Sequence, residues 1–118
     1  MAKILIADDA AFMRMRSSNL LKELGHEVIE AADGEQAVAA FKAEHPDAVL
    51  LDITMPVMDG LDALRAILLE DPSAKVAMVT AMGQQGVIME AIKAGAKDFV
   101  VKPFDSERIQ AALWKLVG

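Results

Sequence analysis

Five short apolar runs, each followed by a stretch with helical spacing, constrain this chain more than any other feature. The runs are Lys3 to Ala7, Glu27 to Ala31, Ala48 to Asp52, Val76 to Thr80 and Asp98 to Lys102. Helical period follows in Ala11 to Leu24, Glu35 to Glu44, Leu61 to Glu70, Gln85 to Ala94 and Ser106 to Val117, where positions such as Leu61, Leu64, Ile67 and Leu68 line one side. Gly25 and Gly95 follow helix ends, Asp33-Gly34 and Asp105 precede helix starts, and Asp71-Pro72 stops the third helix. Repeated βα units imply a parallel sheet with helices on both faces, and right-handed crossovers restrict the topology to doubly wound arrangements. In such sheets ligands bind at the carboxyl ends of the strands.

Length and composition narrow the function. The 118 residues are expected to form one domain, 1–118, with a single core. A hydrophobic share of 54% argues against disorder, and no apolar run approaches the length that spans a bilayer. With no secretory h-region after Met1-Ala2-Lys3, the expected location is the cytoplasm, away from membranes. The chain has no cysteine, which removes disulfides, thiolate catalysis and Cys-ligated zinc. The two histidines, His26 beside Gly25 and His45 before Pro46, are expected at element ends in water. A net charge of −6 argues against a nucleic-acid surface, which needs clustered Lys and Arg.

The charged residues at the ends of the strands point to a chemistry. Asp8 and Asp9 follow the first strand, Asp52 ends the third, Thr80 ends the fourth and Lys102 ends the fifth. Three neighbouring carboxylates raise one another's pKa unless a cation neutralises them. A hard divalent ion does so, and Mg²⁺ suits a site with few carboxylates, several waters and a phosphate. Asp8 and Asp9 are then the metal ligands, while Asp52 shares the metal and presents its other oxygen to substrate. An ionised carboxylate attacks phosphorus without a general base. Phosphoryl transfer also requires charge neutralisation, available here from Lys102, the Thr80 hydroxyl and the Ala81 backbone N–H.

Blander roles stand beside these. Asp8-Asp9 also fits a helix cap with a first-turn charge, Thr80 a β-branched strand residue, and Lys102 a solvated strand end. Among the methionines, Met78 and Met89 are expected in the core, whereas Met13, Met15, Met55 and Met82 sit near the site. Trp114 is expected to pack, with an edge toward the output face.

Four segments carry a family resemblance: Ile6-Ala-Asp8-Asp9, Leu50-Leu-Asp52-Ile-Thr-Met-Pro56-Val-Met-Asp-Gly60, Val79-Thr80-Ala81 and Phe99-Val-Val-Lys102-Pro103-Phe104. Together, in this order and spacing, they resemble the receiver domain of two-component response regulators across essentially the whole chain. The resemblance implies a flavodoxin-like α/β fold with five parallel strands in the order 2-1-3-4-5 and five helices; that order comes from the family and not from spacing. It further implies that Asp52 accepts a phosphoryl group from a histidine kinase. Mg²⁺ would sit on Asp8, Asp9, Asp52 and the Thr54 carbonyl, and Lys102-Pro103 would be a cis peptide. Thr80 would move toward the phosphate while Phe99, at a position often occupied by tyrosine, turns inward.

Asp8 to Met15, Thr80 to Gln85 and Glu90 to Phe99 look most like stand-alone chemotaxis receivers. This implies a flagellar motor switch protein as target, bound through Gln85, Ile88, Phe99, Val101 and Glu107 on the α4-β5-α5 surface, with a chemotaxis kinase as donor and room for a dedicated phosphatase. The protein is then a signalling phosphoacceptor, expected as a monomer, instead of an enzyme with a turned-over substrate. In receivers, Thr54 and Met82 flank the path of the hydrolytic water, so this pair is expected to set the lifetime of the phosphorylated state. Two alternatives remain: a receiver serving another output, and a Mg²⁺-dependent aspartyl phosphatase. The haloacid-dehalogenase type of phosphatase places its nucleophile after the first strand with an acid two residues on, whereas here Thr54 stands two beyond Asp52. A flavin or nucleotide carrier is disfavoured by the acidic, glycine-free turn Ala7-Asp8-Asp9-Ala10. The chain ends at Gly118, directly after its last helix, which favours a stand-alone protein and also fits a fragment of a longer one.

Overall fold

The computed structural model describes residues 2–81 and 85–117. Strand and helix alternate as β1 (Lys3–Ala7), α1 (Ala11–Glu23), β2 (Glu27–Ala31), α2 (Gly34–Glu44), β3 (Ala48–Asp52), α3 (Gly60–Glu70), β4 (Val76–Thr80), α4 (Gln85–Ala94), β5 (Asp98–Val101) and α5 (Ser106–Val117). All strands pair in parallel, in the order β2-β1-β3-β4-β5. The fold is therefore the doubly wound, flavodoxin-like one.

Alternation along the strands divides the core in two. Leu5, Val49, Leu51 and Met78 face α2, α3 and α4, packing with Phe41, Leu64, Ile67 and Ala91. Ile4, Ile6, Leu50, Ala77 and Val79 face α1 and α5, packing with Leu21, Ile109, Leu113 and Leu116. Each of the larger of these side chains, from Val to Phe, contributes roughly 1.5–3 kcal/mol when taken from water. The central strands β3 and β4 are buried at every position because both of their faces are covered.

Helix ends follow local chemistry. Asp33 caps α2 by accepting the Gln36 N–H at 2.8 Å, and Asp105 accepts the Arg108 N–H at 2.9 Å in the first turn of α5. Asp59 caps α3 in the same way, accepting from Asp62 at 2.9 Å, which the sequence reading did not anticipate. Gly25 (φ 91°) and Gly95 (φ 124°) take the positive φ that ends α1 and α4.

Several sequence expectations need correction. α1 stops at Glu23 with Leu24 as its cap, while α2 and α3 each begin one residue earlier, at glycines. β5 ends at Val101; Lys102 still donates its N–H to Thr80 O (2.8 Å), but the chain then turns through a cis Lys102–Pro103 peptide. Met78 lies in the core, whereas Met89 is 61% exposed because α4 buries only the side of Ala91. Trp114 is 73% exposed: α5 turns Ile109, Leu113 and Leu116 inward, and that leaves Trp114 on the outer side. His26 is half-buried, its Nδ1 accepting the Ala2 N–H at 3.1 Å, while His45 is exposed at the α2 C-cap with a left-handed φ of 46°. Among the described residues no helix is long and apolar enough to cross a membrane.

Candidate functional site

The site forms where β1, β3, β4 and β5 end on one edge of the sheet. Asp8 leaves β1 with its N–H bound to Ala31 O of β2 (3.1 Å) and its side chain only slightly exposed. Its Oδ1 accepts the Ala10 N–H at 2.9 Å, opening α1, whose own N-cap residue Ala10 supplies no side-chain bond. Asp8 is thus not the N-cap of α1: one of its oxygens holds the N–H of the N-cap residue Ala10, and the other faces Lys102. Asp9, next to it, is exposed. Asp52 closes β3 and is 5% exposed. One ligand atom from each of Asp8, Asp9 and Asp52 lies within 4.8 Å of the others.

Lys102, the residue just past β5, reaches this cluster. Its Nζ stands 3.1 Å from Asp52 Oδ2 and 3.5 Å from Asp8 Oδ2, with the side chain four-fifths buried. Thr80, fully buried at the end of β4, directs its hydroxyl to the Ala81 carbonyl at 3.0 Å. Ala81 and Thr54 are exposed on the loops beside the cluster. Met82 lies outside the described residues.

Backbone packing holds the loop after Asp52. Ile53 donates to Val79 O (3.1 Å), Gly60 donates to Ile53 O (2.7 Å), and Gly34 donates to Met58 O (3.0 Å). Both glycines are required by space: a Cβ at Gly60 would stand 1.9 Å from the Asp52 carbonyl oxygen, and one at Gly34 would stand 2.0 Å from that of Met58. Between them Met55 is buried, while Val57 is held exposed at φ 68°, a left-handed conformation that a β-branched residue adopts only under strain.

Burial is the largest influence on Asp52 and pushes its pKa up; the Lys102 ammonium opposes this, and the charges of Asp8 and Asp9 add to it. For Lys102 burial works against the charge, but the hydrogen bond and charge of Asp52, with Asp8 behind it, outweigh burial and raise the ammonium's pKa. The two directions are opposed for one ion pair, since one favours the neutral acid and the other the charged base. Both directions have a physical cause: burial, with the nearby charges of Asp8 and Asp9 added, disfavours ionising Asp52, while the two carboxylates of Asp52 and Asp8 beside one ammonium keep Lys102 protonated. Hard oxygen donors with unbalanced negative charge match what a divalent cation requires. Once the negative charge of the carboxylates is balanced, the Lys102 ammonium and the Thr80 hydroxyl are donors that can bind a tetrahedral oxyanion.

The family model for the response regulator receiver domain matches residues 4–114. The chain belongs to this family. Among related receivers, the chemotaxis protein CheY of Listeria monocytogenes is 55% identical over 116 residues, covering 98% of each chain. A protein named CcdB from Bacillus subtilis is 50% identical over 119 residues, covering 100% of this chain and 99% of that one. The CheX-CheY-BeF3-Mg+2 complex from Borrelia burgdorferi superposes with a TM-score of 0.89 at 37% identity, over 94% of this chain and 85% of that one. This receiver is thus of the CheY type, a class of signalling proteins.

Within the receiver, Asp8, Asp9, Asp52 and Lys102 converge. The residues expected at the output surface stand elsewhere: Gln85 and Ile88 on α4, Phe99 and Val101 on β5, and Glu107 on α5. Phe99 is 37% exposed, with the carbonyl of Phe99 bound by the Arg108 guanidinium, which also pairs with the buried Asp98. The sequence reading missed Arg14, whose guanidinium binds the Asp8 carbonyl. Its one legible signal is its place in the second turn of α1, where long side chains reach back toward the helix start.

Proposed function

We propose that Asp52 is the phosphoacceptor of this receiver and that its phosphorylation depends on Mg²⁺ held by Asp8, Asp9, Asp52 and the Thr54 carbonyl. The carrying observation is the 3.1 Å approach of Lys102 Nζ to an Asp52 carboxylate that has two further carboxylates within 4.8 Å. In the proposed reaction an Asp52 oxygen bonds to phosphorus as the P–N bond to a kinase phosphohistidine breaks, and the departing imidazole keeps the electron pair. Lys102 neutralises one phosphoryl oxygen, and the Thr80 hydroxyl with the Ala81 N–H binds another after the hydroxyl leaves the Ala81 carbonyl. Bound Mg²⁺ would supply charge neutralisation for the oxygens that Lys102 does not reach.

The whole chain acts in this reading as one receiver domain in the cytoplasm. A chemotaxis histidine kinase is the donor and a flagellar motor switch protein the target, bound through α4, β5 and α5. The chemotaxis name of the Listeria relative supports this target. A second output is also supported, because the CcdB relative is nearly as similar and does not carry that name. Thr54 and Met82 are proposed to set the lifetime of the phosphoryl group; exchanging both should change the dephosphorylation rate.

Intact-mass analysis after exposure to phosphoramidate, with and without Mg²⁺, tests the reading. One phosphoryl adduct that requires both Mg²⁺ and Asp52 is the expected result. An adduct that survives Asp52→Asn, or that forms equally in chelator, would refute it. Continuous release of phosphate without an adduct would point to the phosphatase alternative.

A further inference from the structure

Successive residues of an extended chain point their side chains to opposite sides. Asp8 and Asp9 are successive residues leaving a strand, yet their carboxylates converge to within 4.8 Å of each other and of Asp52. Such convergence requires the peptide between them to hold a particular orientation as the chain passes from β1 into α1.

The carbonyl of that peptide lies outside both regular elements. Pairing of β1 with β2 and β3 ends at Ala7, and the first helical acceptor of α1 is the Ala10 carbonyl, which takes the Arg14 N–H at 2.9 Å. The Asp8 carbonyl is instead bound by Arg14 Nη1 at 2.6 Å. The other side of the same guanidinium is held by Glu30 of β2, with Nε 3.2 Å from Oε1. Arg14 therefore spans from a neighbouring strand to the peptide that joins the two acidic residues. This differs from an ordinary surface pair: the Arg14 side chain is 20% exposed, whereas Arg65, paired with Glu90, is 51% exposed. A planar guanidinium suits the task because it presents several donors in a rigid fork, which a lysine does not.

We infer that Arg14 is a positioning residue for the divalent cation: by clamping the Asp8–Asp9 peptide against Glu30, it makes the two carboxylates converge. The inference rests on the metal-dependent reading above. It assigns Arg14 no contact with the cation or the phosphoryl group, and its effect passes entirely through the Asp8 carbonyl.

The test is Mg²⁺ affinity by isothermal titration calorimetry on the full chain, with apo thermal unfolding recorded beside it. Arg14→Ala should weaken affinity about tenfold or more, as loss of an outer partner of metal ligands does. Arg14→Lys keeps the charge and one donor and should fall between wild type and Arg14→Ala. Glu30→Gln keeps the bond to Asp8 and should lose roughly two- to fourfold, the scale of an exposed ion pair. If Arg14→Ala does not fold, the last two variants carry the test. Wild-type affinity in both Arg14→Lys and Glu30→Gln would overturn the inference, as would an Arg14→Ala affinity within twofold of wild type. Asp9→Asn is the control for the underlying reading: if it binds Mg²⁺ as tightly as wild type, the metal site itself is wrong, and that failure is distinct from a failure of Arg14 alone.

Discussion

At the amino edge of the sheet, Asp47 accepts the Lys3 backbone N–H at 2.8 Å, the Lys3 ammonium stands 3.5 Å from Glu44, and both of those side chains remain in contact with water. At the carboxyl edge Asp8 and Asp52 are almost wholly buried, and one ammonium serves both. The amino edge also holds a groove of about 840 Å³, lined by residues that include His26, Asp47, Lys75 and Trp114. The same residue types are thus structural and solvated at one edge, and concentrated and unbalanced at the other. Two aspartates express the contrast. Asp71, in the turn before β4, has its pKa lowered by the Ser73 hydroxyl and N–H, whereas Asp52 has its pKa raised, mainly by burial.

Close packing should separate the two edges most. Gly60→Ala would drive a methyl group into the Asp52 carbonyl and should cost about 3 kcal/mol or more. Gly25→Ala, at the amino edge, meets nothing within 4 Å and bears only the strain of φ 91°, about 1–2 kcal/mol. Chemical denaturation of both variants measures the difference; equal losses would break the comparison.

Charge removal should come next. Lys102→Ala leaves two buried carboxylates without their ammonium and should cost about 2–3 kcal/mol without metal, somewhat less than a fully enclosed pair because the site opens to water. Added Mg²⁺ should recover much of this. Lys3→Ala removes an exposed pair and should change stability by less than about 0.5 kcal/mol.

The smallest contrast is one of sign. Because Asp52 binds its proton more tightly when folded, its ionisation lowers stability as pH rises from the ordinary aspartate value of 3.8 through its raised folded value. Asp52→Asn should therefore raise the unfolding midpoint at neutral pH and lose this advantage in acid. Asp71 is the reverse: its lowered pKa adds stability above the ordinary value, and that stability is lost as pH falls through its folded value. Asp71→Asn should slightly lower the neutral-pH midpoint.

The sequence made β1, β3 and β4 legible because a parallel sheet buries their apolar runs almost whole; the edge strand β2 is the exception, with Glu27 and Glu30 exposed, yet it too begins and ends as expected. The strand-end residues Asp8, Asp52, Thr80 and Lys102 were legible for the same reason: a polar residue closing a buried run stands out. Less legible were features that depend on what the backbone meets across space. Gly34 read only as punctuation before a helix and Gly60 only as part of the family motif, yet the Met58 and Asp52 carbonyls exclude a side chain at these two positions. Arg14 looked like one more charged residue on α1, since its acceptor is a backbone oxygen with no sequence signature. Met89 and Trp114 lie on helices with one buried side each, and apolar composition alone did not say which side would face the sheet.

The central claim is that burial and crowding hold back the ionisation of Asp52 until a cation balances the cluster. Carbon-13 NMR titration of the Asp52 side-chain carboxyl, with and without saturating Mg²⁺, measures this directly. The account predicts a midpoint above the ordinary aspartate value in the metal-free protein and a fall from that midpoint when Mg²⁺ is present. A metal-free midpoint at or below the ordinary value, or one that Mg²⁺ does not move, would contradict it.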